Sequence, residues 1–180
     1  MKLKKLKFKK VKSTNDTAIR LIKNKKFKSG MVIAETQFKG KGQYGRSWIS
    51  NKGNLFVTFF HEISLSKLSI TRITKINCLL VKNLISKYTK KKIVYKKPND
   101  LLIDKKKISG ILQETISISD KVFLLTGIGI NIKKNPVIRN YPTTNMCELT
   151  EKHINKVKVE NDLKHLFEEN LTRFYKIKKN

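Results

Sequence analysis

Four short apolar runs follow one another late in the chain: IVYK, LLID, KISGILQETIS and KVFLLTGIGINI. Only turn-forming residues separate them: Pro98, Asn99 and Asp100, then residues 104–106, then Ser119 and Asp120. The pattern predicts consecutive sheet strands joined as a meander. Upstream, residues 1–12 read as a short basic strand with Leu3, Leu6, Phe8 and Val11 as apolar positions. Ser13 with Asp16 three residues on is a capping-box pattern, so a helix starts there, carrying Ala18, Leu21 and Ile22 and ending at Ser29 and Gly30. Residues 31–36 and 55–61 read as core strands, and 37–53 as a functional loop. A long helix spans 66 to about 88, with Leu68, Ile73, Ile76, Leu80, Leu84 and Ile85 at helical spacing. A looser stretch with Pro136 and Pro142 runs to about 155. A closing helix from 159 to about 177 carries Leu163, Leu166, Phe167, Leu171 and Phe174 on one face. Together these predict one α+β domain, a mixed, mostly antiparallel sheet backed by helices.

At 180 residues the chain suits one domain with a sizeable core. No apolar run approaches the roughly 18–20 residues of a membrane span, and the basic start has no h-region of a secretory signal. Cys78 and Cys147 stand far apart, as reduced thiols of a cytoplasmic protein do, and not as a metal site or disulfide framework. The net charge of +28 invites a nucleic-acid partner, and a non-enzymatic basic nucleic-acid-binding protein is the alternative from another class. Yet arginine occurs only at 20, 46, 72, 139 and 173, and lysine is spread throughout with abundant Ile and Asn. A/T-rich codons supply that combination without selection for a partner. Phe56, Phe59, Phe60 and Phe123 sit in apolar strand runs instead of offering stacking faces. No specific nucleic-acid or membrane partner is expected beyond a weak, salt-sensitive affinity for polyanions.

Three segments carry chemistry. In residues 37–48 (QFKGKGQYGRSW) Gly40, Gly42 and Gly45 let backbone N–H groups approach an anion, and Lys41 and Arg46 add positive charge. Lys97-Pro98-Asn99-Asp100 precedes a strand starting at Lys107, where alternation puts Lys107 and Ser109 on one side and Ile108 on the other. Gly127-Ile128-Gly129-Ile130-Asn131 ends an apolar strand. Strand glycines of that kind mark a bulge, tight packing, or the close approach of a backbone or ligand.

The order STN, AExQxxGxGxxGRxW, KxPND, KxxGIL and GIGIN resembles the catalytic domain of the biotin–protein ligases, over about residues 10 to 177. The resemblance implies the biotin–lipoate ligase fold, related to class II aminoacyl-tRNA synthetases. It also implies a two-step reaction. Biotin and ATP, with Mg²⁺, give biotinyl-5′-AMP and pyrophosphate, and a lysine of the biotin carboxyl carrier of acetyl-CoA carboxylase then takes the biotin. A lipoate or octanoate ligase or transferase on the same fold is the nearer alternative.

By the same resemblance Ser13, Thr14, Asn15, Gln37, Gly40, Lys41, Gly42, Gln43, Lys107 and Gly110 contact biotin. Arg46, Trp48, Asn99, Asp100, Lys107 and Asn131 contact ATP, and Lys107 and Arg46 are the catalytic cations. No metal ligand is assigned, Asp100 being a candidate only through Mg-ATP. Gln43 stands where an arginine is frequent and Lys97 where a tryptophan is. The residues are expected to form a single catalytic domain, 1–180, with neither an N-terminal helix-turn-helix nor an SH3-like C-terminal domain. An exposed sheet edge leaves room for a homodimer.

Overall fold

The computed structural model describes residues 2–63 and 69–175, with side chains of the last helix up to residue 171. Its strands are β1 (Lys5–Val11), β2 (Ser29–Gln37), β3 (Leu55–Ile63), β4 (Ile93–Lys96), β5 (Asp100–Ile103), β6 (Lys106–Ile118) and β7 (Lys121–Ile130). The helices are α1 (Thr14–Lys23), α2 (Ile70–Ser86), α3 (Met146–Thr150) and α4 (Lys156–Tyr175). All seven strands join one sheet in the order β1-β2-β3-β7-β6-β5-β4. β1 and β2 run parallel and the other pairings are antiparallel, with β4 to β7 as the expected meander. The mixed, mostly antiparallel sheet is therefore as the sequence predicts.

Side chains alternate across this sheet and separate two packing layers. On one face Met31, Val57, Phe59, Leu124 and Ile128 pack with α2 and α4. The Phe59 and Phe167 rings stack there with centroids 4.0 Å apart, pinning α4 to the sheet. On the other face Val32, Phe60, Phe123 and Leu125 pack beneath Ala18 and Ile22 of α1. Phe56, Phe59, Phe60 and Phe123 are all buried, so none of these four rings offers a stacking face. No helix among the described residues is long and apolar enough to cross a membrane.

Several boundaries differ from expectation. The Ser13 hydroxyl does accept from the Asp16 N–H, but α1 stops well before Ser29 and Gly30. Lys25 takes a left-handed φ of 53°, its N–H bonds Ile22 O, and the Lys26 N–H bonds Leu21 O. That double closure ends the helix at Asn24, although lysine is not the residue usually found there. Ser29 and Gly30 instead belong to the start of β2, with Gly30 against the Phe60 ring. α2 is capped by Ser69; its expected first turn, with Leu68, lies outside the described residues, as does the Phe174 side chain. α3 was not expected: five residues within a Pro-containing stretch show no helical period.

One buried group makes stability depend on pH. His61 on β3 is 2% exposed, and burial holds its imidazole down to about 4 from an ordinary 6.5, against a smaller opposing pull from the Glu62 carbonyl. The unfolded chain therefore binds more protons between those values. Stability is fully present above pH 6.5 and falls as pH drops through the window towards 4. Urea unfolding at pH 5 is expected to give about 2 kcal/mol less stability than at pH 7.5. His61→Gln should flatten that slope, and an unchanged slope in the variant would assign the acid sensitivity elsewhere.

Candidate active site

The α1 face of the sheet changes character along β7. Phe123 and Leu125 lie under the helix, and the next two residues on that face are Gly127 and Gly129. Beside them on β6 is Gly110, paired with Gly129 on one side and Asp100 on the other. Without side chains the three glycines floor a cavity of about 500 Å³. A Cβ on Gly127 would sit 2.5 Å from Asn15 Oδ1, and one on Gly110 would sit 2.6 Å from the Trp48 indole. Gly129 is also covered by that indole. Close approach by side chains is thus what these strand glycines permit.

The N-terminus of α1 forms one wall. Gln37 Oε1 accepts from the Thr14 N–H at 2.7 Å and from the Thr14 hydroxyl at 3.1 Å. Thr58, fully buried on β3, lies 2.8 Å from Thr14 Oγ1 and 2.5 Å from Asn15 Oδ1. Asn15 Nδ2 donates to Glu114 Oε2 at 2.5 Å, so its amide is held from both ends. The polar rim at Ser13, Thr14 and Asn15 is therefore oriented in advance.

The glycine loop forms the second wall and closes on itself. Gly42 N–H donates to Arg46 O at 2.7 Å, Arg46 N–H to Gln43 O and Trp48 N–H to Gly40 O, with Tyr44 and Gly45 at φ 55° and 73°. These three amides serve the loop, and among the three glycines it is the Gly42 N–H that is committed in this way. Lys41 is tied to Asp16 of α1, and that hydrogen bond raises its pKa. Arg46 lies exposed beside the Tyr44 ring. Gln43 Oε1 and Trp48 Nε1 are buried with no hydrogen-bond partner among the described residues.

The third wall carries the charge. Lys107 Nζ pairs with Asp100 Oδ1 at 2.8 Å, lying between the Trp48 and Tyr141 rings at 5.0 and 5.4 Å. Asp100 Oδ2 accepts from the Tyr141 hydroxyl at 2.6 Å. Burial and then Asp100 raise the phenol pKa above its ordinary value, so it stays a donor. The expectation for Ser109 is corrected here. A bulge between Leu101 and Leu102 sets Leu101 opposite Ser109 and Leu102 opposite Lys107. Ser109 is thereby buried, bonded to Gly129 O, while Lys107 and Gly110 share the cavity. Asn131 does not line the cavity. It lies beneath the cavity, its amide donating to Thr144 O and Lys107 O at 3.1 and 3.4 Å.

Residues 7–131 match the profile of the biotin/lipoate A/B protein ligase family. The chain belongs to that family. Among curated relatives, the bifunctional ligase/repressor BirA of Bacillus subtilis is 33% identical over 128 residues, 69% of this chain and 39% of the relative. The chain spans about two fifths of the length of the BirA proteins it matches first. Among solved structures, the Aquifex aeolicus biotin protein ligase in complex with biotin and ATP has a TM-score of 0.79 at 27% identity, covering 96% of this chain and 72% of that one. The Leishmania major biotin protein ligase in complex with biotinyl-5-AMP has a TM-score of 0.75 at 25% identity, covering 99% and 84%.

Within this ligase fold, Ser13, Thr14, Asn15, Gln37, Lys41, Gly42, Gln43, Arg46, Trp48, Asn99, Asp100, Lys107 and Gly110 converge on the cavity. Gly40 lines only an outer recess, and Asn131 lines neither. Lys97 is exposed, and its neighbour Lys96 lies 4.5 Å from the Tyr141 ring. The sequence reading missed Thr58, Glu114, Arg139 and Tyr141. Nothing in their local pattern marks them, since each reaches the site through sheet register or a loop of irregular length.

Proposed function

We propose that the chain is the catalytic unit of a biotin–protein ligase. The observation that carries this is the convergence of the STN, glycine-loop, KxPND, KxxGIL and GIGIN segments on one cavity around the Lys107–Asp100 pair. The likeness to biotin protein ligases solved with biotin, ATP and biotinyl-5-AMP supports the same reading.

In the first step a carboxylate oxygen of biotin attacks the α-phosphorus of ATP and pyrophosphate leaves. Ser13, Thr14 and Asn15 present hydroxyl and amide groups suited to the ureido ring, and Gln37 fixes Thr14. Lys107 reaches the carboxylate and α-phosphate, where it offsets the charge that builds as they combine. Arg46 takes the phosphates and Trp48 the base, whose polar edges suit the unpaired indole N–H. In the second step a carrier lysine amine attacks the mixed anhydride and AMP leaves. Enclosure by the loop keeps water from that anhydride. The biotin carboxyl carrier of acetyl-CoA carboxylase is the proposed acceptor.

Asp100 is the one carboxylate lining the cavity, and no cluster of three or more potential ligands could hold a metal among the described residues. Mg²⁺ commonly binds one or two carboxylates plus substrate phosphates, so Asp100 fits an ion arriving with ATP, which would neutralise phosphate charge. The test is pyrophosphate release with ATP, Mg²⁺ and biotin, lipoate or octanoate in parallel. Release is expected with biotin. Release with lipoate or octanoate alone would reassign the substrate, and none with any acid would overturn the ligase reading.

A further inference from the structure

The Lys107–Asp100 pair raises a difficulty for the proposed chemistry. Both side chains are largely buried, 16% and 12% exposed, and the ammonium is ion-paired at 2.8 Å with Asp100 Oδ1, an oxygen that accepts no aligned hydrogen bond among the described residues. To meet an incoming carboxylate or phosphate, Lys107 must turn away from Asp100. A buried carboxylate stripped of its cation is strongly unfavourable.

Tyr141 is placed to relieve this. Its hydroxyl donates to Oδ2, the oxygen that Lys107 does not hold, at 2.6 Å. Its ring and that of Trp48 flank the ammonium, and aromatic faces tolerate a cation in more than one position. The tyrosine is also tied in register to the lysine. Lys107 N–H donates to Pro142 O at 2.8 Å, and Thr144 N–H donates to Lys107 O at 2.9 Å. The 142–144 segment thus runs beside Lys107 as a short parallel bridge, which fixes Tyr141 next to the pair.

We propose that Tyr141 is a positioning residue for adenylation, its hydroxyl holding the Asp100 carboxylate while Lys107 moves to the substrate anion. This rests on the ligase reading of the cavity. The bond from Tyr141 gains weight only when Lys107 has left, so its loss penalises the reacting state more than the resting one.

The test is a double-mutant cycle read by pyrophosphate release with biotin, ATP and Mg²⁺. Tyr141→Phe keeps the ring and removes the hydroxyl; kcat/KM should fall about ten-fold or more, as for a lost hydrogen bond to a charged group. In an Asp100→Asn background the same change should matter less than about two-fold, because no charged carboxylate remains to be held. Equal losses in both backgrounds would mark Tyr141 as merely structural and overturn the proposal. So would Tyr141→Phe turning over like the parent. Thermal unfolding of each variant checks that the fold is kept. A parent protein inert with biotin would instead overturn the ligase reading, and this inference with it.

Discussion

Lys107→Ala is expected to lower pyrophosphate release at least about a hundred-fold, the scale on which removing one preorganised charge-stabilising donor acts. The reason lies in where charge develops. As the acid's carboxylate oxygen closes on the α-phosphorus, negative charge concentrates between two anionic partners. The Lys107 ammonium is the cation that β6 fixes inside the cavity beside Gly110. Arg46 lines the cavity from an exposed loop position and Lys41 is tied to Asp16, so the buried ammonium of Lys107 is the cation whose loss costs most. The substitution also leaves Asp100 with Tyr141 as its charge-stabilising partner, a loss of about 1–3 kcal/mol in a partly relieved buried site. Stability and catalysis can be separated. Adding Asp100→Asn to Lys107→Ala should recover stability in urea unfolding but not turnover. If Lys107→Ala turns over normally, the lysine has no part in the chemistry.

Much of this arrangement was legible in the sequence, for identifiable reasons. Alternating apolar runs with turn residues between them specify the meander locally. Ser13 with Asp16 fixes the start of α1, and the glycines at 127 and 129 admit close approach as one of three readings before any partner is known. The partners themselves were not legible. That Trp48 covers Gly110 and Gly129 depends on a loop folding back across the sheet, and that Asn15 covers Gly127 depends on where α1 packs. The bulge opposite Leu101 and Leu102 leaves no sequence mark, yet it decides that Gly110, not Ser109, shares the cavity with Lys107. A one-residue shift of that kind exchanges the faces of a strand, so a periodic reading fails there even when the strand itself is right. Asn131 is a different case. It belongs to a motif that carries chemistry, but its amide is used to support the wall from behind.

What Asn131 supports, Asn54 holds in place, and Asn54→Ala is expected to cost about 3–5 kcal/mol in urea unfolding, a large part of a typical domain's stability. Asn54 is fully buried just before β3. Its Oδ1 accepts from three successive backbone N–H groups, those of Ile132, Lys133 and Lys134, at 3.0, 3.0 and 3.1 Å. Its Nδ2 donates to Lys134 O at 2.9 Å and lies 3.5 Å from Asn131 Oδ1. One side chain thus pins the turn where the chain leaves β7. From that turn the chain runs on to Tyr141 and to the bridge beside Lys107. Alanine would leave three donors without their acceptor in a site of limited water access, each such orphan costing about 1–3 kcal/mol. The unfolding temperature should fall by roughly 10 °C. Asn54→Asp should do better than alanine but worse than the parent, since it keeps an acceptor yet cannot donate to Lys134 O. Turnover should fall in both variants even at temperatures where they remain folded, because the segment that carries Tyr141 has lost its anchor. A loss below about 1 kcal/mol for Asn54→Ala would show that the turn is held by the sheet alone.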